Sequence, residues 1–246
     1  MAEYNLNEKV LAFCFVGTGY GDDGSIWGGE VLLSTPYTYK RIYHLKKYSL
    51  IGGEKAIKEP RRVALALLFE CFTLEEVLNL DNPLIKSYTQ KEIKTLYLMK
   101  IKKINSPKTS SIGRPFDAVY ALSGHLNNLG YEGESGIIME GYASDITNDD
   151  VYSYTLNGDN IEYYQMIKEI LDEDNKKNLA VKFINTIIKI IMDISLLHKE
   201  LPVVLSGGVF QNSILVERLM YKLDSNNIRY YIQSQTPVND GGISLG

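Results

Sequence analysis

A chain of 246 residues with a net charge of −4 has the size of one large domain or two small ones. Its 45% hydrophobic and 23% charged residues are ordinary for a globular protein, and its lysines lie among acids, so the basic stripe that a nucleic-acid surface needs is missing. No apolar run approaches the roughly 20 residues of a membrane span, and the opening MAEYNLNEKV carries no signal pattern, which points to a cytoplasmic protein.

In chain order, KVLAFCFV (9–16) and IWGGEVLL (26–33) are β-prone runs joined by GTGYGDDGS, which together predict a glycine-linked hairpin. YTYKRIYHL (37–45) alternates like a third strand. The pattern then turns helical. RRVALALLFECF (61–72) follows Pro60, a residue suited to a first helical turn, and TLEEVLNL, QKEIKTLYLMKIKK and RPFDAVYALSGHL extend the helical reading to about residue 126. The lysine-rich faces at 91–103 and 176–178 read as solvated surface. GYEGESGIIMEGYAS is expected to be partly helical, YTLNGDNIEYY (154–164) to hold a tight Asn-Gly turn, and residues 178–200 to form a long buried helix. The last block predicts a strand at Val203–Leu205, a glycine turn, a helix from about Asn212 to Leu223 and a strand near Arg229–Ile232. That order favours an α/β fold with parallel pairing.

Three glycine turns invite a ligand. The first carries Gly17, Thr18, Gly19, Gly21 and Gly24, and glycine lets backbone amides approach a phosphate; an ordinary hairpin loop is the competing reading. No GxxxxGK[ST] is present, and no helix follows GTGYGD as a dinucleotide fingerprint requires. The second, SGGVFQN (206–212), lies where a strand passes into a helix, a common ligand position, although Gly207 and Gly208 could equally serve tight packing. The third, NDGGISLG, contains Asp240, which reads as a turn former, since one carboxylate makes no metal site. His44, His125 and His198 are isolated and read as packed or surface residues. Cys14 and Cys71 form no CxxC and read as buried, reduced thiols, and no GxSxG or HExxH supports a hydrolase.

Six blocks, GTGYGDDGSIWGGE, GGEKAIKEPRRVALA, SSIGRPFDAVYALSG, YEGESGI, LSGGVFQN and NDGGISLG, occur in an order and wording that resemble the C-terminal domain of the HypF carbamoyltransferases of nickel–iron hydrogenase maturation. The resemblance runs from about Ala2 to the last residue. It implies a ribonuclease H-like lobe of the actin–hexokinase superfamily with a helical insertion at about 52–130, the whole chain being the second lobe. Gly17, Thr18, Gly19 and Gly21 would then approach the phosphates of ATP or carbamoyl-adenylate, with Glu30 and Trp27 holding the turn, and Gly207, Gly208 and Asn212 would form the adenosine side. The family passes the carbamoyl group, drawn from carbamoyl phosphate and ATP, to the C-terminal cysteine of the acceptor protein HypE. Arg62 and Arg114 are candidate contacts to carbamoyl or phosphate oxygens, because a guanidinium pairs with such groups bidentately; salt bridges to Glu59 and Asp117 are the equal alternative.

The resemblance also implies departures. Family members carry an HxxxH motif ahead of the hairpin and an Asp where Val16 stands, which together hold a divalent Fe or Zn ion; of those ligands only Asp240 remains here. FHNT reads FINT at Ile184, and Ile51 and Arg61 depart from PGG…EPWR. The chain is therefore expected to be a partial one, cut at both ends, with little activity alone. The alternative is a degenerate lobe that binds nucleotide weakly or serves as a protein-interaction module.

Overall fold

In the computed structural model, which describes residues 1–238 and Gly241, the chain opens with β1 (Val10–Tyr20), β2 (Ile26–Ser34), β3 (Tyr39–Leu45) and the two-residue β4 (Tyr48–Ser49). Five helices follow: α1 (Glu54–Lys58), α2 (Pro60–Cys71), α3 (Leu74–Leu78), α4 (Pro83–Lys86) and α5 (Gln90–Ile101). Then come β5 (Lys108–Thr109), α6 (Gly113–Leu122), α7 (Glu134–Ala143), the hairpin β6 (Thr155–Asn157) and β7 (Asn160–Glu162), α8 (Tyr164–Leu171) and α9 (Lys176–Leu197). β8 (Val203–Ser206), α10 (Ser213–Ser225) and β9 (Tyr230–Ile232) close the described order.

The main sheet runs β6-β7-β3-β2-β1-β8-β9. β1, β2 and β3 pair antiparallel, whereas β8 lies parallel to both β1 and β9. An antiparallel three-strand meander extended by parallel strands, with helices between the later strands, is the ribonuclease H-like arrangement that the resemblance implied. Both faces of β1 are used. Leu11, Phe13 and Phe15 point into the large core, while Val10 and Ala12 join Leu6 in a small cluster on the other face. Alternation with period two sorts these side chains, and burial on both sides explains why the run reads as continuously apolar.

The helical layer follows from local sequence. Pro60 occupies the first turn of α2, where its missing N–H costs no bond. Val63 to Phe69 are all buried, so α2 is apolar all round and sits inside the protein. Thr73 with Glu76 and Thr89 with Glu92 form capping boxes that start α3 and α5. Asn175 caps α9, whose residues from Leu179 to Ser195 supply much of the core. Residues 52–130 pack into the same core as the sheet: α2 meets α8, α6 meets β1 and α9, and Thr109 of β5 pairs with Ile26 of β2. Among the described residues, no helix is long and apolar enough to cross a membrane.

Candidate functional site

β1 and β8 run in the same direction, so their C-terminal ends lie at one edge of the sheet, and the first two glycine turns meet there around Val16. β1 bulges between Phe15 and Gly19, and this bulge carries Val16, Gly17 and Thr18 out of the regular ladder with β2. Three glycines surround it. A Cβ on Gly207 would collide with the Phe15 carbonyl and the Val16 side chain; one on Gly28 would collide with the Val16 carbonyl; one on Gly113, at the start of α6, would lie 2.8 Å from the Gly17 Cα. Gly207 also holds φ at +107°, a conformation that favours glycine. Ser111 fixes the bulge from the side, its Oγ donating to the Val16 carbonyl at 2.8 Å.

Glu30 sits at the base of the hairpin and turns back on its own strand. Its buried carboxylate accepts the N–H groups of Gly28 and Gly29 and the Ser110 hydroxyl. Burial raises its pKa above the ordinary carboxylate value, against these bonds and the nearby Arg41. At the hairpin tip Asp23 plays the matching part in solvent, taking bonds from Ser25, from the Trp27 indole at 2.9 Å, from Arg41 and from Lys47. Burial works against its charge, yet the hydrogen bonds from Lys47, Ser25 and Trp27 hold its carboxyl well below the usual range. Arg41 in turn stacks on the Trp27 ring. The tip glycines are partly committed too: Gly21 N–H donates to Ser25 and Gly24 N–H to Gly21.

The two candidate arginines differ in setting, and each has an internal partner. Arg62 bonds Glu59 and lies against Gly52. Arg114 is buried, pairs with buried Asp117 at 2.9 Å, and reaches the exposed Glu132 at 2.9 Å. Burial lifts the Asp117 carboxyl to about 6, opposing the Arg114 charge. The Arg114 guanidinium lies directly on Gly17, where any side chain would displace it, so Arg114 belongs to the glycine edge. No hydrogen bond or ion pair joins Arg62 to that edge among the described residues. Thr18 is exposed there, while Gly19 pairs across the hairpin with Trp27.

The second turn leads into the helix where the sequence placed it: α10 starts at Ser213 with Asn212 as its cap, and a 3-10 turn (Gly208–Gln211) fills the stretch between the glycines and the helix. Phe210 in that turn stacks on Phe15, which ties the turn to β1. Asn212 Oδ1 accepts Leu215 N–H at 2.9 Å, leaving its buried Nδ2 without a partner. The helix terminus, expected to attract an anion, already receives one from the chain: Glu140 of α7 accepts the Ser213 N–H and hydroxyl. Sequence patterning gave no signal for Glu132 or Glu140, because both act on residues distant in the chain.

Residues 12–246 match the family model described as "Carbamoyltransferase, Kae1-like Domain, second subdomain". The chain belongs to this carbamoyltransferase family. Carbamoyltransferase HypF of Synechocystis is 34% identical across the whole of this chain, which covers 34% of that protein. Probable carbamoyltransferase HypF of Methanocaldococcus jannaschii is 31% identical, again across the whole chain and 33% of the relative. The chain thus spans about a third of the length of these curated relatives. A crystal structure of full-length HypF in its phosphate- and nucleotide-bound form superposes with a TM-score of 0.90 at 35% identity, covering all of this chain and 39% of that one. HypF of T. kodakarensis superposes at 0.82 with 27% identity, covering all of this chain and 34% of its own.

The divalent metal implied by the resemblance finds no fit among the described residues. Val16 offers no donor, and its methyl groups pack toward Gly28 and Gly207. No group of three or more His, Cys, Asp or Glu side chains comes together among the described residues, and Asp240 lies outside them. The histidines are structural: His44 Nδ1 contacts the Leu45 carbonyl, His125 stacks on Tyr120 and contacts the Tyr142 hydroxyl, and His198 lies at the end of α9 against Tyr43. Cys14 and Cys71 are free and partly buried, and burial pushes both thiols up to about 12, so neither is a ready nucleophile.

Proposed function

We propose that this chain is the second, nucleotide-side lobe of a HypF-type carbamoyltransferase. In the intact protein, carbamoyl phosphate, ATP and water give carbamoyl-adenylate with release of phosphate and pyrophosphate, and the carbamoyl carbon passes to the C-terminal cysteine thiolate of a HypE-like acceptor. The bond to the adenylate phosphate oxygen breaks as the carbon–sulfur bond forms, and AMP leaves with the negative charge. Hydrogenase maturation and a cytoplasmic setting go with this reading. The observation that carries it is the meeting of the two glycine turns at Val16, in a fold superposing along its whole length on a HypF described with phosphate and nucleotide bound.

In this reading the chain binds and orients rather than reacts. Gly17 and Gly207 let Arg114 and the Phe15–Val16 backbone close on the end of β1, shaping the edge beside which a ligand's phosphates would lie, and Thr18 stands exposed next to them. Arg114 supplies a buried positive charge at Gly17, and Asn212 Nδ2 is an uncommitted donor on the adenosine side. Gly19, Gly21, Gly208 and Glu30 shape the two turns, and Arg62 steadies the Gly52 turn through Glu59. No step is assigned to a metal.

Trp27, the one tryptophan of the chain, reports on the hairpin. ATP or AMP titrated into the purified chain is expected to change its fluorescence saturably, with calorimetry giving the same midpoint. Gly207→Val is expected to abolish the response. Absence of saturable binding by both methods for a folded parent chain would overturn the nucleotide assignment.

A further inference from the structure

The first residues of the chain, ahead of the family match at residue 12, make an unusually dense contact with its last described loop. A 3-10 turn (Ala2–Tyr4) brings the Glu3 carboxylate against residues 234–236. One oxygen accepts the N–H groups of Ser234 and Gln235 and the Ser234 hydroxyl, each at 2.9 Å; the other accepts the Thr236 hydroxyl at 2.9 Å. Tyr4 adds a bond to the Ile232 carbonyl at 2.6 Å and packs its ring on Tyr231. Two residues beyond Thr236, the Val238 carbonyl accepts the N–H of Gly207 at 2.9 Å. That glycine is the one whose positive φ and missing Cβ let the second turn close on Phe15 and Val16.

We propose that Glu3 is a positioning residue for the glycine edge: it anchors residues 234–236, and through Val238 that loop fixes the amide direction of Gly207. The inference rests on the nucleotide-side reading for its consequence, not for its geometry. Four hydrogen bonds on one carboxylate bind the loop that leaves β9, and charge-assisted bonds are the stronger kind. The two backbone N–H groups of Ser234 and Gln235 hold the Glu3 carboxyl down at about 2, so the anchor stays ionised at all ordinary pH values. A loop tied at 234–236 presents the Val238 carbonyl in one place, and a carbonyl fixed in place selects one orientation of the Gly207 peptide. Untied, the loop and the peptide would sample others, and a ligand would have to order both.

Amide hydrogen exchange on the whole chain tests this without any ligand. Glu3→Ala is expected to speed exchange at the Ser234, Gln235 and Gly207 amides roughly tenfold, while β1 and β2 keep their protection. Glu3→Gln, which keeps a carbonyl oxygen for the two N–H groups, is expected to restore most of it. Faster exchange at 234–236 with no change at Gly207 would overturn the proposal, as would an even loss of protection across the sheet, which marks a merely structural role. ATP binding, followed in parallel, is expected to weaken about fivefold in Glu3→Ala and recover in Glu3→Gln. If the parent chain binds no ATP, the nucleotide reading fails, yet the exchange pattern still decides the coupling.

Discussion

Gly24 and Gly207 both hold a positive φ, of +73° and +107°, but their surroundings differ. At the hairpin tip, a Cβ on Gly24 would meet nothing within 4 Å; beside Val16, a Cβ on Gly207 would strike the Phe15 carbonyl. The tip glycine serves only the direction of its own backbone, whereas Gly207 serves contact between two strands at the ends of which a ligand is proposed to lie. Glycine content is therefore a poor guide to a phosphate loop by itself. What separates a turn from a site is whether another backbone needs the missing side chain's space.

That contrast can be broken by measurement. Gly207→Ala is expected to cost at least about 3 kcal/mol, combining backbone strain with a collision that packed strands cannot relax. Urea unfolding followed by circular dichroism would show it as a lower midpoint at unchanged slope. Glu30→Ala should cost about 2 kcal/mol, because it leaves two buried N–H groups and the Ser110 hydroxyl without their acceptor. The same substitution should let Cys14, which faces Glu30 across the β1–β2 ladder and whose pKa is raised first by burial and then by the Glu30 charge, react somewhat faster with a thiol reagent.

The acids also predict a pH response. Glu30 and Asp117 have folded-state pKa values raised by burial, Asp117 to about 6. The folded state therefore holds more protons than the unfolded one between the ordinary carboxylate value near 4 and the folded value. The Asp117 contribution to stability is fully present below that window and is lost as pH rises through about 6, and the Glu30 contribution likewise falls with rising pH. Asp117→Asn is expected to flatten the pH 4–7 stretch of a stability profile measured by urea midpoints. Gly24→Ala is the smallest effect, about 1 kcal/mol, from the left-handed conformation alone. Equal losses for Gly24→Ala and Gly207→Ala would show that crowding at Val16 adds nothing, and the comparison would collapse.

Much of this architecture was legible in local sequence. The opening hairpin, the α2 start at Pro60, the long buried α9 and the parallel β8–β9 pair follow from apolar period and from turn residues. The alternative offered for the arginines, pairing with Glu59 and Asp117, is the arrangement found, since both acids lie three residues from their partners on a helix or at its start. Other features left no local trace. β7 pairs with β3 and β5 with β2 through residues far apart in the chain, and two-residue strands have no period to detect. The 3-10 turn before α10, and the seats of Glu132, Glu140 and Glu3, are fixed by tertiary partners and not by neighbours in sequence. The tight turn at 154–164 is present, with Gly158 carrying its positive φ.

The β1–β8 ladder sets residue 11 against residue 203, with β2 and β3 already paired long before β8 exists. During synthesis, then, the hairpin can form early, but one edge of β1 stays unpaired until most of the chain has left the ribosome. Contacts so distant in sequence close slowly, and an open apolar edge invites pairing with another chain. The glycine edge would be assembled last, after the helices. A nascent chain stalled before Val203 would present LAFCF as a ready template for aggregation, and its yield should depend on chaperones more steeply than that of the full chain.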